Sequence, residues 1–172
     1  MTDSGTDIQR SIEAAMDRLE GGDRGRPGSP AGEAWGTFLR SHASLMRTLD
    51  GELVRGADLS LSDFDVLIQL GLSEGARLRM SELARKALIS RSGMTRRAGQ
   101  LEERGLVARQ PDPADRRSVV LTLTEEGGRV LRAALPVHFS GVHAHFLDRL
   151  TDEELSTLSN VLQKVVIDCD FG

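Results

Sequence analysis

Apolar side chains recur every three or four positions along most of this 172-residue chain, a spacing that predicts a mainly helical protein. The longest stripe spans about five helical turns, and Gly56 is expected to end its helix. Its members are Trp35, Phe38, Leu39, His42, Leu45, Met46, Leu49 and Leu53. Three shorter helices are predicted next: from a cap at Ser62 to Gly71, from a cap at Ser81 to Leu88, and from Ile89 to Gly105.

After residue 105 the pattern changes to that of a β-hairpin. The segments LVARQ (106–110) and SVVLTL (118–123) favour strands, and the stretch between them contains two prolines and two aspartates, which are typical of turns. A long helical region follows Thr124, and Pro136 is expected to kink or break it. A last helix is predicted to begin with a capping box formed by Thr151 and Glu154.

The first 32 residues differ from the rest of the chain. Residues 7–20 have the spacing of a short amphipathic helix, and the Gly- and Pro-rich segment from Gly21 to Gly32 is expected to hold no regular structure. The sequence therefore predicts an arm and linker over residues 1–32 and a main domain over residues 33–172.

A helix, a short helix, a second helix and a two-stranded hairpin follow one another in the order of a winged helix-turn-helix. This order predicts such a domain over residues 60–124, in a fold that is mainly α with a small β-hairpin wing. In that architecture the helix predicted over residues 89–105 would read DNA.

Successive residues of this predicted recognition helix lie 100° apart around its axis, so the sequence shows which residues share a face. Three apolar residues share one face and are expected in the core: Met94, Ala98 and Leu101. Ser92, Thr95 and Arg96 then point outwards, where such side chains can form hydrogen bonds to base edges. Arg91 and Arg97 flank this face and are predicted to contact phosphates.

Charge is distributed unevenly, although the net charge of −4 alone would argue against a nucleic-acid partner. Residues 77–117 carry eleven basic and five acidic side chains, whereas the rest of the chain carries 11 basic and 21 acidic ones. Such asymmetry indicates one face that meets a polyanion. Arg116 and Arg117 lie at the predicted hairpin tip, which is thin enough to enter a minor groove, and Asp115 is placed to pair with Arg117.

The run SELARKALISRSGMTRRAGQLEERGLVARQPDPADRRSVVLTLTEEG, residues 81–127, resembles the MarR family of bacterial transcription regulators. The motif Asp115-x-Arg117, followed by Leu123 and Thr124, is similar to the signature of that family, and the resemblance extends from about residue 33 to about residue 166. It implies a homodimer whose first and last helices, over residues 33–55 and 125–168, interlock. Two winged domains would then straddle a pseudo-palindromic operator in double-stranded DNA.

The resemblance also implies an effector pocket beside the dimer interface, where Trp35, Phe38 and His42 could bind a ligand. Asp65 matches a urate-binding branch of the family, but Leu72 stands where that branch has an arginine, and the arm contains no tryptophan. Asp65 has an alternative, structural role, because a carboxylate close to the predicted cap at Ser62 would stabilise a helix N-terminus. A peroxide-sensing branch uses a cysteine near the N-terminus, whereas the sole cysteine here is at position 169.

Other classes of function find little support. No two of the four histidines have the spacing of three or four expected of a helical metal site, so neither a metal nor another cofactor is expected. There is no nucleophile–base constellation, which argues against an enzyme, and no apolar run of the roughly 20 residues that cross a membrane. We therefore expect a cytoplasmic DNA-binding repressor relieved by a small aromatic or lipophilic effector. The alternative is a winged module that binds proteins instead of DNA.

Overall fold

A computed structural model describes residues 8, 10–12, 14–15, 28–112, 115 and 118–166. Within this part of the chain the helices are α1 (Pro30–Ala57), α2 (Leu61–Gly71), α3 (Met80–Lys86), α4 (Arg91–Glu103), α5 (Glu125–His145) and α6 (Asp152–Gln163). The strands are β1 (Arg77–Arg79), β2 (Val107–Pro111) and β3 (Val119–Leu123). The mainly α class with a small β wing is thereby confirmed.

The chain divides into two compact units, Met1–Ser44 and Leu45–Gly172, with the division inside α1. In the first unit, the described residues before position 28 are helical, in agreement with the short helix predicted there. The second unit contains the helix-turn-helix, the sheet and the core.

Helix α1 is longer at both ends than its apolar stripe indicated. It begins at Pro30, so the prediction that residues up to Gly32 hold no regular structure was wrong for the last three of them. Proline suits the first turn of a helix, whose amide groups have no partner inside the helix, and the hydroxyl of Ser29 accepts from the amide of Gly32 at 3.1 Å. At the other end the helix passes Gly56, the predicted terminus, and ends at Ala57.

Helix α2 is capped by Ser60, and the prediction of Ser62 was wrong. The hydroxyl of Ser60 accepts from the amide of Asp63 at 3.1 Å. The carboxylate of Asp50 in α1 accepts from the amide of Leu61 at 2.8 Å, so a second free amide of this terminus is also satisfied.

The predicted hairpin is present, but it belongs to a three-stranded antiparallel sheet in the order β1-β3-β2. Leu121 is fully buried at its centre, opposite Leu78 of β1 and Arg109 of β2. Strand β1 was not predicted, because three residues are too few to show an alternating pattern. It places the residues just before α3 directly against the wing.

The two helices of the helix-turn-helix start at different kinds of caps. Helix α3 begins at Met80, so Ser81 lies inside it and the prediction of Ser81 as its cap was wrong; the carboxylate of Glu82 instead accepts from the amide of Arg79 at 3.4 Å. Helix α4 is capped by Ser90, whose hydroxyl accepts from the amide of Gly93 at 3.2 Å.

One apolar core joins the second half of α1, helices α2 to α5 and the sheet. Its largest fully buried side chains are Leu53, Leu59, Phe64, Leu67, Leu70, Leu83, Met94, Leu101 and Leu121. Helix α5 runs continuously through Pro136, so the break expected there as one of two outcomes does not occur. A Cβ on Gly127 would lie only 2.0 Å from the carbonyl oxygen of Leu106, so α5 can start against the sheet only with glycine there.

Helix α6 begins with the predicted capping box, in which the hydroxyl of Thr151 accepts from the amide of Glu154 at 3.3 Å. Unlike the other long helices, α6 contains no buried residue. None of the described helices is both long and apolar enough to cross a membrane.

Candidate nucleic-acid interface

The apolar face of helix α4 determines how the helix is oriented about its own axis. Met94, Ala98 and Leu101 are fully buried, as predicted, and they pack in the common core. Because these three residues determine which way the helix faces, the opposite side of α4 must face outwards.

Arg91, Ser92, Thr95 and Arg96 are all exposed on α4, as expected; these four side chains are called the recognition face below. The guanidinium of Arg96 forms no hydrogen bond or ion pair with any other described residue, so all its donors are available. Ser92 Oγ lies 3.3 Å from Ser90 Oγ. The recognition face therefore presents both donors and acceptors beyond the protein surface.

The hydroxyl of Thr95 has a defined role within the helix. It donates to the carbonyl oxygen of Arg91 at 2.9 Å and lies 3.7 Å from the sulfur of Met80. Since a hydroxyl has a single proton, Thr95 presents an acceptor and a methyl group to the outside.

Arg97 is directed away from the recognition face. Its side chain is only 22% exposed, and its Nη1 donates to Asp63 Oδ1 of α2 at 2.6 Å. Its Nε is buried and has no hydrogen-bond partner among the described residues. Arg97 thus joins α4 to α2, and we leave it out of the proposed DNA contacts for this reason.

A second ion pair joins α4 to the sheet. Glu102 lies 2.8 Å from the Nε of Arg109 in β2, and its other carboxylate oxygen accepts from the amide of Arg109 at 3.3 Å. The guanidinium of Arg109 lies over Gly99, where a Cβ would be 3.0 Å from Nη2. The space beside Gly99 is therefore filled by Arg109.

The base of the wing is held by two aspartates, of which the sequence indicated only one. Asp112 is 6% exposed, accepts from Arg79 Nε at 2.5 Å and donates its amide to the carbonyl of Ser118 at 2.9 Å. Asp115 accepts from the Ser118 hydroxyl at 2.8 Å. Arg79 and Asp112 are 33 positions apart in the sequence, so no local pattern indicates their pairing.

Arg116 and Arg117 lie outside the described residues. The pairing of Asp115 with Arg117, and the entry of both arginines into a minor groove, therefore remain predictions. The hydrogen bonds around Asp115 show that its carboxylate also has a role within the wing loop itself.

Three of the predicted ligand-binding residues lie together on the first half of α1. The ring of Phe38 stacks between Trp35 and His42, with centroid distances of 6.0 and 6.3 Å. Trp35 is 61% exposed and Phe38 is 43% exposed. They form an aromatic ridge with a broad uncovered surface.

Asp65, the fourth predicted ligand-binding residue, lies on α2. Its interpretation as a helix-terminal carboxylate was wrong, because Ser60 is the cap and Asp63 occupies the first turn. Partial burial raises the pKa of the Asp65 carboxyl, against the influence of His138 and Arg97. Burial lowers the pKa of His138, against the influence of Asp65.

An open cleft that the sequence did not indicate lies between the second half of α1 and α5. Its volume is about 440 Å³, and it is lined by Glu52, Arg55, Gly56, Val137, Ser140, Gly141, Ala144 and His145. Glu52 Oε1 lies 2.7 Å from His145 Nε2. The two residues are 93 positions apart, so only the tertiary structure reveals the pair.

The family model that matches the chain, over residues 57–118, is described as MarR family. An uncharacterized HTH-type transcriptional regulator of Bacillus cereus is 32% identical over 117 residues, which is 68% of this chain and 76% of that protein. Transcriptional regulator HosA of Escherichia coli O111:H- is 36% identical over 84 residues, or 49% of this chain and 62% of HosA.

Solved structures show the same likeness. Sco3205, a MarR family transcriptional regulator from Streptomyces coelicolor solved in complex with DNA, is 33% identical with a TM-score of 0.78, over 81% of this chain and 91% of that chain. AbsC, a MarR family regulator from the same organism, is 32% identical with a TM-score of 0.77, over 81% and 95% of the two chains.

Proposed function

The chain belongs to the MarR family of transcriptional regulators, and on this premise we propose that it is a ligand-responsive repressor that binds a pseudo-palindromic operator as a homodimer. Members of this family regulate transcription and are not enzymes. The structure of Sco3205 bound to DNA supports double-stranded DNA as the partner of this chain.

The observation that carries the proposal is the recognition face of α4. Arg96 has an exposed guanidinium with free donors, which suits the two acceptors of guanine in the major groove. Ser92 and Thr95 lie beside it and add a hydroxyl and an acceptor with a methyl group. The buried residues on the other side of α4 hold this face in place, so little ordering is required on binding.

The wing is proposed to contribute a second contact. Arg116 and Arg117 would enter the minor groove, where they respond to groove width and negative potential rather than to base identity. The support is the anchored base of the wing, where Arg79 binds Asp112 and Ser118 binds Asp115. These hydrogen bonds hold the described residues at the base of the wing.

Dimerisation is proposed to involve residues 33–55 and 125–168. Helix α6 contains no buried residue within one chain, and large apolar side chains remain exposed on it and on the first half of α1. They are Trp35, Phe38 and Leu39 on α1 and Val161 on α6, and Val165 is exposed just beyond the end of α6. A stripe of this kind is stable in water only when another surface covers it, and a second copy of the chain offers the same stripes.

The effector is proposed to be a small aromatic or lipophilic molecule that relieves repression. Trp35, Phe38 and His42 offer stacked rings to such a ligand. Asp65 belongs to the second unit and stays a separate prediction of a ligand-binding residue. The aromatic ridge favours a flat apolar ligand over a highly charged one.

An electrophoretic mobility shift with DNA from upstream of the gene tests the function directly. A shifted complex is expected that survives an excess of unrelated duplex and weakens steeply as salt rises. A chain that shifts neither duplex at low salt would not be a DNA-binding regulator, and the protein-binding alternative would then apply.

A further inference from the structure

Two short connections join the winged helix-turn-helix, from α2 to β3, to the helices proposed to form the dimer. The first is the three-residue joint 58–60 between α1 and α2, and the second is Thr124 between β3 and α5. A hinge between the winged part and these helices would have to bend at the two connections. Asp58 has a left-handed backbone conformation with φ of 50°, as is common where one helix ends and the chain turns into the next.

The guanidinium of Arg104 holds the first connection. Arg104 is the C-terminal cap of α4, and its Nη2 donates to the carbonyl oxygen of Asp58 at 2.7 Å. The Asp58 carboxylate lies 3.5 Å from the same nitrogen but is fully exposed, so water screens this ion pair. The partly buried carboxylate of Asp63 lies 3.9 Å from Nη1. The hydrogen bond to the backbone carbonyl is therefore the closest contact that Arg104 makes with the joint.

Thr124 holds the second connection. Its hydroxyl donates to the carbonyl oxygen of Gly105 at 2.7 Å and accepts from the amide of Gly127 at 2.9 Å, so one side chain binds the end of α4 and caps α5. The amide of Thr124 donates to the carbonyl oxygen of Leu106 at 3.1 Å. Residues 104–106, called the α4–β2 turn below, thus contact both connections.

We infer that the α4–β2 turn is a clamp that fixes the winged part against α1 and α5, and that Arg104 and Thr124 are its positioning residues. Neither residue needs to touch DNA for this role. The inference rests on the proposed function, because in a homodimer the orientation of each winged part determines the distance between the two recognition helices.

The property that the clamp should control is the spacing of half-sites. One additional base pair moves a half-site by about 3.4 Å along the duplex and turns it by about 35° around the axis. A rigid clamp holds the recognition helices at one separation and opposes this change. A loosened clamp lets each winged part swing at the two connections to follow the displaced half-site.

Competition binding to operators whose half-sites are one base pair closer together or farther apart tests the inference. Wild-type protein should prefer its natural spacing by about tenfold or more. Arg104→Ala and Thr124→Val should reduce this preference to about threefold or less, because each removes a hydrogen bond between the α4–β2 turn and one connection. The ratio of affinities cancels any uniform loss caused by the removed charge, and base preference within each half-site should stay that of wild type.

Conservative variants separate the clamp from changes in charge or stability. Asp58→Asn removes the exposed carboxylate but keeps the carbonyl that accepts from Arg104, and asparagine tolerates a left-handed conformation, so the spacing preference should be retained. Thr124→Ser keeps the hydroxyl and should also retain it. Arg132→Ala removes an exposed charge on α5 and should have no effect on the preference. If Arg104→Ala does not fold, Arg104→Lys takes its place and should reduce the preference in part.

An unchanged spacing preference in the folded Arg104 and Thr124→Val variants, whatever their melting temperatures, would overturn the clamp and leave DNA binding intact. Equal binding of the wild-type protein to all three spacings would overturn it as well. Failure of the wild-type protein to bind any of these duplexes would instead refute the proposed function itself.

Discussion

Arg96 and Arg97 are neighbours in sequence but have opposite environments. Arg96 is exposed with free donors, whereas Arg97 is only 22% exposed and bound to Asp63. One residue step turns a helix by 100°, which is enough to move a side chain from the outward face to the flank that meets α2. The recognition face could be predicted from the helical period, but the partner on its flank could not.

Replacement of Arg96 by alanine is expected to weaken operator binding by about 1–3 kcal/mol and to relax the preference for one base pair in each half-site. The reason is the loss of a guanidinium that can bind guanine with two hydrogen bonds. Competition binding with a library of operator variants measures both effects, and Arg132→Ala is the matched control for charge. Unchanged affinity and unchanged base preference would show that this face does not read bases.

Asp115→Ala is expected to weaken DNA binding, although it removes a negative charge close to DNA. The Asp115 carboxylate accepts from Ser118, and its loss should loosen the wing. Ser118→Ala removes the same hydrogen bond without a change in charge and should weaken binding in the same direction. Fluorescence anisotropy titrations compare the two. Tighter binding by Asp115→Ala would mean that its charge matters more than its place in the loop.

At the scale of elements, ion pairs connect the two sides of α4 to α2 and to β2. Arg97 joins it to Asp63 of α2, and Glu102 joins it to Arg109 of β2. Neither ion pair is needed to form the helix, since α4 already has its cap and its buried apolar face. The ion pairs instead fix how the recognition face is oriented relative to the rest of the domain.

Arg97→Ala should reduce the free energy of unfolding by about 1–3 kcal/mol, because it leaves the partly buried Asp63 with only the longer ion pair to Arg104, at 3.9 Å. Urea unfolding of Asp63→Ala, Arg97→Ala and the double variant measures the coupling, and the double variant should lose less than the sum of the two. The salt dependence of DNA binding should stay that of wild type. A stable Arg97→Ala protein with a reduced salt dependence would instead restore Arg97 as a phosphate contact.

Local patterns predicted the helices, the hairpin and the buried face of α4, since periodicity and turn residues act over a few positions. They did not predict β1, whose three residues form a strand only because β3 lies beside them. The pairs Arg79–Asp112 and Glu52–His145 were missed for the same reason. The cap was predicted at Ser62 and lies at Ser60; both residues offer the same hydroxyl, and backbone conformation decides which of them caps the helix.

At the scale of the whole molecule, the second unit forms its own core while α6 buries nothing within one chain. We propose that a second copy of the chain covers the exposed apolar residues of α6 and the aromatic ridge of α1, because a two-fold symmetric pair brings like surfaces together. Such symmetry also matches the two half-sites of a palindromic operator.

The chain is therefore expected to be dimeric at micromolar concentration in the absence of DNA. Multi-angle light scattering should give about twice the 18.7 kDa of one chain. Val161→Glu places a charge on the exposed surface of α6, and Val165→Glu places one just beyond its end. Both variants should shift the mass towards the monomer, whereas Arg132→Ala should not. A monomeric wild type would remove the basis for two-fold recognition.

Hydroxyl-radical footprinting of the gene's upstream DNA, combined with the stoichiometry of the complex, tests the central claim most directly. Two chains should protect two related half-sites whose centres lie about one helical turn, or a whole number of turns, apart. The protection should persist under excess unrelated DNA. A single protected segment, or protection that unrelated DNA abolishes at equal concentration, would contradict sequence-specific binding by a symmetric dimer.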